Sequence, residues 1–288
     1  MPPDRWIERP GVRLCVRRAP AVAASEPPLL LLHGFPDFWF GWSALIARLQ
    51  GGRQDLLIPD LRGYNDSPVT AGEAAFDLET LVADVLAIAD AYDAPVFDLM
   101  GHDWGGVIAW ACAQRAPDRV RRLAALNAPH PFLLGQALEA DPEQQNRSSY
   151  MALLGAEDAP KRLSADGFAP LERAFASAAK AGARDEAVKA IYRTAWGRPG
   201  RMTAMLAYYR AASFRTDGGE LWRPKAPIPA PVLLIWGARD GAFVPTLPQA
   251  HHAVAPRLTL RLEPDLGHWP HQEDPDRIAQ LWRSWTPY

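Results

Sequence analysis

Residues 95–116 read PVFDLMGHDWGGVIAWACAQRA, and the fold turns on how this stretch is parsed. The run Pro95–Met100 has the length and apolar content of a buried strand. Trp104–Ala116 is apolar nearly all round, as a deeply buried helix is. Gly101-His102-Asp103-Trp104-Gly105 then occupies a strand-to-helix turn with glycines on both sides of Asp103. Small neighbours allow backbone to approach backbone there, and the turn pushes the central side chain out over the sheet edge. This is the context of a nucleophile elbow, with aspartate in the position that serine commonly takes. The positive end of the following helix favours an ionised carboxylate. An aspartate before a helix is also a common N-cap, so the turn by itself leaves both roles open.

Working outward, further short apolar runs predict strands at Val12–Arg17, Leu29–His33, Asp55–Pro59, Arg122–Asn127, Val232–Trp236 and Leu258–Glu263. Helical patterns fill most gaps, including Phe76–Tyr92, so the expected class is α/β: a mostly parallel sheet flanked by helices. Between Asn127 and about Pro231 the alternation stops, and helical patterning rich in Ala, Arg and Glu replaces it. The expected organisation is a core of residues 1–128 and 226–288 interrupted by a helical cap insertion at 129–225, with proline-rich edges that stiffen the connections.

The whole chain excludes several functions. Its 288 residues carry a formal net charge of −2 with basic residues scattered, so nucleic acid is not an expected partner. No apolar run approaches the roughly 20 residues that span a bilayer, and the start lacks a secretory core, so a cytoplasmic protein without membrane partners is expected. Cys15 and Cys112 fall in a predicted strand and a predicted helix, where packing is their expected role; no metal and no cofactor is expected.

Downstream segments supply groups that could meet Asp103. The chain turns at His33-Gly34-Phe35-Pro36 after an apolar strand, where the N–H groups of Phe35 and Trp104 could form an oxyanion hole. Val232–Trp236 ends in Gly237-Ala238-Arg239-Asp240, and Gly267-His268-Trp269-Pro270 follows. The order Asp103, Asp240, His268 is nucleophile, acid, base. Asp265 is an alternative acid, and His271 an alternative base. Neutral Asn127 leaves no acid at the end of the preceding strand. His251-His252 reads as a solvated helix end, and Trp39 and Trp42 as packing.

In these motifs the sequence resembles the epoxide hydrolase branch of the α/β-hydrolase superfamily, over almost its whole length. The matching stretches are His33-Gly34-Phe35-Pro36-Asp37-Phe38-Trp39-Phe40-Gly41-Trp42, Asp60-Leu61-Arg62-Gly63-Tyr64 and GHDWGG; Asn65 departs from the glycine usual there. Haloalkane dehalogenases share the Asp-bearing turn, so the leaving group decides between them. An epoxide leaves as an alkoxide that takes a proton, which suits two phenols. The resemblance implies Tyr150, in Ser148-Ser149-Tyr150-Met151, and Tyr209, in Leu206-Ala207-Tyr208-Tyr209-Arg210, as those donors. Core packing is the alternative for both, and Ala152–Ala156 lacks the expected aromatic run. His33, Phe35, Trp104 and Trp269 are expected to line the substrate site. Trp196 or Trp222 would instead serve a halide, while Trp104 disfavours fluoroacetate dehalogenases, which usually carry Arg there. The implied partners are a small-molecule epoxide and water, with a homodimer left open. A catalytically silent receptor on the same fold is the remaining alternative.

Overall fold

The structure, a computed structural model, describes residues 1–70, 76–182, 184–212 and 220–285. Positions 183 and 213–219 of the expected insertion, and 286–288 of the second core part, lie outside them. The described strands are β1 (Arg5–Arg9), β2 (Val12–Ala19), β3 (Leu29–Leu32), β4 (Leu56–Pro59), β5 (Phe97–His102), β6 (Val120–Leu126), β7 (Val232–Gly237) and β8 (Leu258–Glu263). They form one sheet in the order β1-β2-β4-β3-β5-β6-β7-β8. Only the β1–β2 and β2–β4 pairings are antiparallel. β3, β4, β5 and β7 are buried along their whole length, which is why β3, β4 and β7 read as apolar runs, while β5 buries Asp98 against Arg121 and Arg122.

β1 departs from the expectation, which had no strand before Val12. Its sequence, RWIER, buries no residue fully, because it is an edge strand whose backbone pairs with β2.

Helices α1 (Ser43–Leu49), α2 (Leu78–Ala91) and α3 (Trp104–Arg115) belong to the first half of the sheet. Asp77 caps α2 by accepting from the Thr80 N–H at 2.9 Å. Every residue of α3 from Trp104 to Ala113 is buried, as its apolar sequence requires.

Between β6 and β7 the described residues contain no strand. They form α4 (Pro131–Ala140), α5 (Pro142–Arg147), α6 (Tyr150–Gly155), α7 (Ala159–Ser164), α8 (Ala169–Ala174), α9 (Ala176–Lys180), α10 (Glu186–Trp196) and α11 (Arg201–Ala211). The last two are tied to the loops after β3 and β4. Tyr192 donates to Asp37 at 2.7 Å, Trp196 to the Pro36 carbonyl at 2.6 Å, Arg201 to the Asn65 carbonyl at 2.7 Å, and Tyr208 to the Arg62 carbonyl at 2.8 Å. Arg198 pairs with Asp66 at 2.9 Å. After β7 come α12 (Leu247–Ala250), α13 (Pro270–Glu273) and α14 (Pro275–Ser284).

Both cysteines are buried and free. Cys15 shares its neighbourhood with Asp60 and Asp66, a donor set that could suit a cation. The cation there is Arg17, which donates to Asp60 at 2.8 Å and to Asp66 at 2.5 Å.

Candidate active site

The C-terminal ends of β3, β5, β6 and β7 are neighbours in the sheet, where loops of a parallel sheet converge on ligands. The register aligns Leu32 with Gly101, His102 with Leu126, and Leu126 with Ile235. The loops that follow therefore bring Phe35, Asp103, Asn127 and Asp240 to one edge.

Asp103 stands at the junction of β5 and α3 with φ 51°, a left-handed value that an L-residue adopts at a cost. The surroundings enforce it. A Cβ on Gly105 would lie 2.1 Å from the Leu32 carbonyl oxygen, and one on Gly101 would lie 2.3 Å from that of Gly105. Backbone thus packs directly on backbone around the turn. Its aspartate side chain accepts from the Phe35 N–H at 2.7 Å through Oδ1. Trp104, the other oxyanion-hole residue expected, is the first residue of α3.

His268 lies opposite the free face of the carboxylate. Its Nε2 is 3.7 Å from Asp103 Oδ2, and its Nδ1 is 2.8 Å from Asp240 Oδ2. Asp240 is fixed by two more groups, the Ala242 N–H at 2.8 Å and Asn127 Nδ2 at 2.8 Å, and Asn127 is itself held to the end of β7, its Oδ1 accepting from the Gly237 N–H at 2.9 Å. Asn127, read from sequence only as a missing acid, is thus the clamp on the acid that is present. The alternative acid, Asp265, is exposed and pairs with Arg239.

The electrostatics follow from this layout. Burial alone would drive His268 towards neutrality, but Asp240 and Asp103 outweigh it and raise its pKa from 6.5 to about 10. Burial likewise pushes both carboxylates up, and the facing imidazolium more than offsets that, so both end below the usual range. All three shifts favour a histidine cation between two carboxylates.

The other histidines have structural roles. His33 accepts from the Leu61 N–H through Nε2 at 2.9 Å, which fixes its proton on Nδ1, facing the Gly34 carbonyl at 3.0 Å. His102 Nε2 lies 2.6 Å from the His268 carbonyl oxygen and so braces the loop that carries His268. His271, the alternative base, is wholly buried against Trp42 and Asp37, and burial lowers its pKa to about 3. His251 is a correction: it is buried, not solvated, and its Nε2 accepts from the His130 N–H at 2.9 Å; only His252 is exposed.

Above Asp103 lies a narrow cavity of about 20 Å³, walled by Trp104, Val107, Pro129, Leu134, Tyr150, Met151, Tyr209 and Phe243. Both tyrosines line it together with Asp103. Burial, followed by the charge of Asp103, keeps both phenols neutral by raising their pKa values. Tyr208, one residue away, turns to the core. His33, Phe35 and Trp269, expected to touch substrate, do not line the cavity: the Phe35 ring packs edge-on against Tyr209 at 5.3 Å, and the Trp269 indole stacks on Phe175 at 4.1 Å and donates to the Ala174 carbonyl at 2.9 Å. A larger hollow at the opposite sheet edge, beside Arg53, Arg122 and Trp282, contains none of Asp103, Asp240 and His268.

Sequence reading missed most of the apolar wall. Phe243 follows Asp240 by three residues and Met151 follows Tyr150 directly, so proximity to the reactive residues was the available signal. It also gave no role to Asp37, a buried carboxylate in an aromatic motif that holds the Phe38 N–H, Tyr192 and Gln272.

The chain belongs to the α/β-hydrolase fold family, whose family model matches residues 27–275, and stands on its epoxide hydrolase branch. It is similar to the AB hydrolase superfamily protein YfhM of Bacillus subtilis (strain 168), at 30% identity over 96% of this chain and 95% of that one. It is also similar to Epoxide hydrolase 4 of Mus musculus, at 30% identity over 90% of this chain and 74% of the relative. Among solved structures it resembles the F128A mutant of an epoxide hydrolase from Bacillus megaterium complexed with its product, (R)-3-[1]naphthyloxy-propane-1,2-diol. That likeness has a TM-score of 0.87 and 27% identity, covering 97% of this chain and 99% of the other.

Proposed function

We propose that this protein is an epoxide hydrolase that makes a vicinal diol by way of a covalent ester on Asp103, with the helices between β6 and β7 acting as the cap over the site. One observation carries the reading: two neutral phenols, Tyr150 and Tyr209, share an apolar cavity with an ionised carboxylate that a histidine–aspartate pair backs. Phenols can give a departing alkoxide its proton. A halide requires none, and Trp196, a candidate halide donor, already gives its indole N–H to Pro36.

In the first step Asp103 Oδ2 attacks a ring carbon, because Oδ1 is held by Phe35. The C–O bond breaks, and its electron pair takes a proton from a tyrosine. The phenolate regains a proton from solvent. Esterification removes one of the two carboxylates that keep His268 protonated, so the histidine loses its proton more readily and becomes a base. It then takes a proton from water, whose oxygen bonds to the Asp103 carboxyl carbon. The oxyanion that forms on Oδ1 is held by Phe35 N–H and Trp104 N–H. Its collapse expels Oδ2 with the alkyl group, His268 returns the proton, and a diol leaves.

Oxygen labelling tests this path. In heavy-oxygen water, one turnover with enzyme in excess should give diol free of solvent label and an Asp103 peptide that carries it. Labelled diol with an unlabelled Asp103 peptide would mean direct attack by water. Release of halide but no diol across matched haloalkane and epoxide panels would replace the reading with dehalogenation.

A further inference from the structure

The hollow beside Trp282 has a volume of about 790 Å³ and is lined by Arg53, Arg121, Arg122, Arg257 and Arg283. These arginines are scattered through a sequence whose formal net charge is −2, and the fold gathers them. Arg121 and Arg122 lie near the start of β6, Arg257 directly precedes β8, and Arg283 lies in the last turn of α14. The hollow thus stands at the N-terminal ends of parallel strands, whereas Asp103 and Asp240 follow the C-terminal ends of β5 and β7. Two carboxylates, Glu26 and Asp98, answer the arginines. Arg53 pairs with Glu26 at 3.3 Å, Arg121 with Glu26 at 2.9 Å and with Asp98 at 2.7 Å, and Arg122 with Asp98 at 2.8 Å. Arg283 donates to the Arg48 carbonyl, and the nearby Asp276 is taken by Arg48 itself. Arg257 and Arg283 pair with no carboxylate among the described residues, so five guanidinium groups face two acids.

We propose that this hollow binds a small phosphate monoester with an apolar body, at a site separate from the candidate active site and independent of the proposed reaction. The surplus of positive charge is concave, which concentrates its field on an entering anion, and a phosphate monoester brings a charge of about −1.5 to −2 at neutral pH. Part of the site is rigid: Arg122 is held by Asp98 and lies over the Trp282 ring at 4.2 Å. Arg257 and Arg283 are exposed and uncommitted to acids, so their planar guanidinium groups can close on phosphate oxygens through paired N–H bonds. Leu49, Pro231 and Trp285 add an apolar wall beside the charge. Inorganic phosphate would leave that wall wet, whereas the organic part of an ester covers it. Glu26 opposes an anion, but its charge is already shared by Arg53 and Arg121.

Phenyl phosphate is the probe, titrated by calorimetry into the whole chain at low ionic strength, with inorganic phosphate, benzoate and phenol beside it. It should bind saturably and about tenfold more tightly than inorganic phosphate or benzoate, while phenol should not bind. Arg257→Gln and Arg283→Gln should each weaken binding about three- to tenfold, as screened rim charges do, and the double variant should lose more than tenfold. Neither side chain is buried, so the double variant should keep the wild-type melting curve and the wild-type epoxide turnover. The Trp285 indole N–H, which donates to Thr259 Oγ1 at 3.2 Å, reports occupancy directly: its resonance should shift with phenyl phosphate in wild type and stay in place in the double variant.

No saturable binding of phenyl phosphate at millimolar concentration would overturn the proposal, as would equal affinity in the wild type and a folded double variant. Inorganic phosphate or benzoate that binds as tightly as phenyl phosphate would overturn the assignment of a monoester with an apolar body. Vesicles of phosphatidate in phosphatidylcholine form a separate arm. Capture of the wild type but not the double variant, undiminished by excess phenyl phosphate, would make the hollow part of a lipid-binding surface and overturn the small-molecule site. A chain that turns over no epoxide yet binds phenyl phosphate through Arg257 and Arg283 would sink the proposed reaction and leave this site standing.

Discussion

Adding one methyl group at Gly34 should disable the nucleophile without touching it chemically. A Cβ at that position would lie 2.3 Å from Asp103 Oδ1, 2.4 Å from its Cβ and 2.7 Å from its Cγ. All three distances are far inside van der Waals contact, so the carboxylate must turn away. Turning breaks the 2.7 Å bond from the Phe35 N–H and disturbs the approach to His268. A hydrogen bond to a charged group contributes about 1.5–3 kcal/mol, which corresponds to roughly ten- to hundredfold in rate. Misplacement by about 1 Å costs on the order of another hundredfold. Gly34→Ala should therefore form ester at least a hundredfold more slowly. Overpacking of this kind also destabilises by about 1–3 kcal/mol, a fall of a few degrees in melting temperature. Stopped-flow observation of ester formation, alongside calorimetry, measures both. A folded Gly34→Ala protein with the wild-type alkylation rate would refute the placement of Asp103 on which the site is built.

Further outcomes follow from the same geometry. Tyr209→Phe should lose about 10²–10⁴ in ester formation with its fold intact, whereas Tyr208→Phe should keep the rate and lose about 1 kcal/mol of stability with its bond to Arg62; equal kinetic losses would reverse the assignment. His268→Gln should accumulate an adduct on Asp103, visible by intact-protein mass spectrometry and peptide mapping. The folded pKa of His268 lies above its ordinary 6.5, at about 10, so its stabilisation is complete below about pH 6.5 and disappears as pH rises through 10. Melting curves from pH 7 to 10 should accordingly fall less steeply for His268→Gln than for wild type. Asn127→Gly, which tolerates the φ of 43° there, should slow ester hydrolysis about tenfold and spare ester formation, because only the orientation of Asp240 is loosened; slowing of both steps would show a wider disturbance.

Much of the candidate site's layout was legible in the chain because its parts are local. An apolar strand, glycines and an apolar helix define the elbow within 22 residues, and Gly-His-Trp after the last strand singles out His268. Boundaries were read within a few residues, as with β5, expected at Pro95–Met100 and found at Phe97–His102. What escaped was pairing across the chain. β1 owes its strand to β2 rather than to its own polar sequence. His251 looked solvated because its partner, the His130 N–H, lies 121 residues away. Trp269 and His33 sit in motifs beside reactive groups, but adjacency in sequence does not fix where a ring points: one stacks on Phe175 and the other braces a turn.

The backbone contacts around Asp103 also divide the molecule by what evolution can rewrite. At Gly101 and Gly105 a substituent would meet carbonyl oxygens of the sheet and the elbow, which no rotamer can move aside. Variation there is closed to selection, whichever substrate is on offer. Leu134, Met151 and Phe243 line the cavity from segments outside the elbow. A lineage adapting to a new molecule would keep the reactive turn as a fixed inheritance and explore those three positions, and a saturation library should return its altered specificities from them.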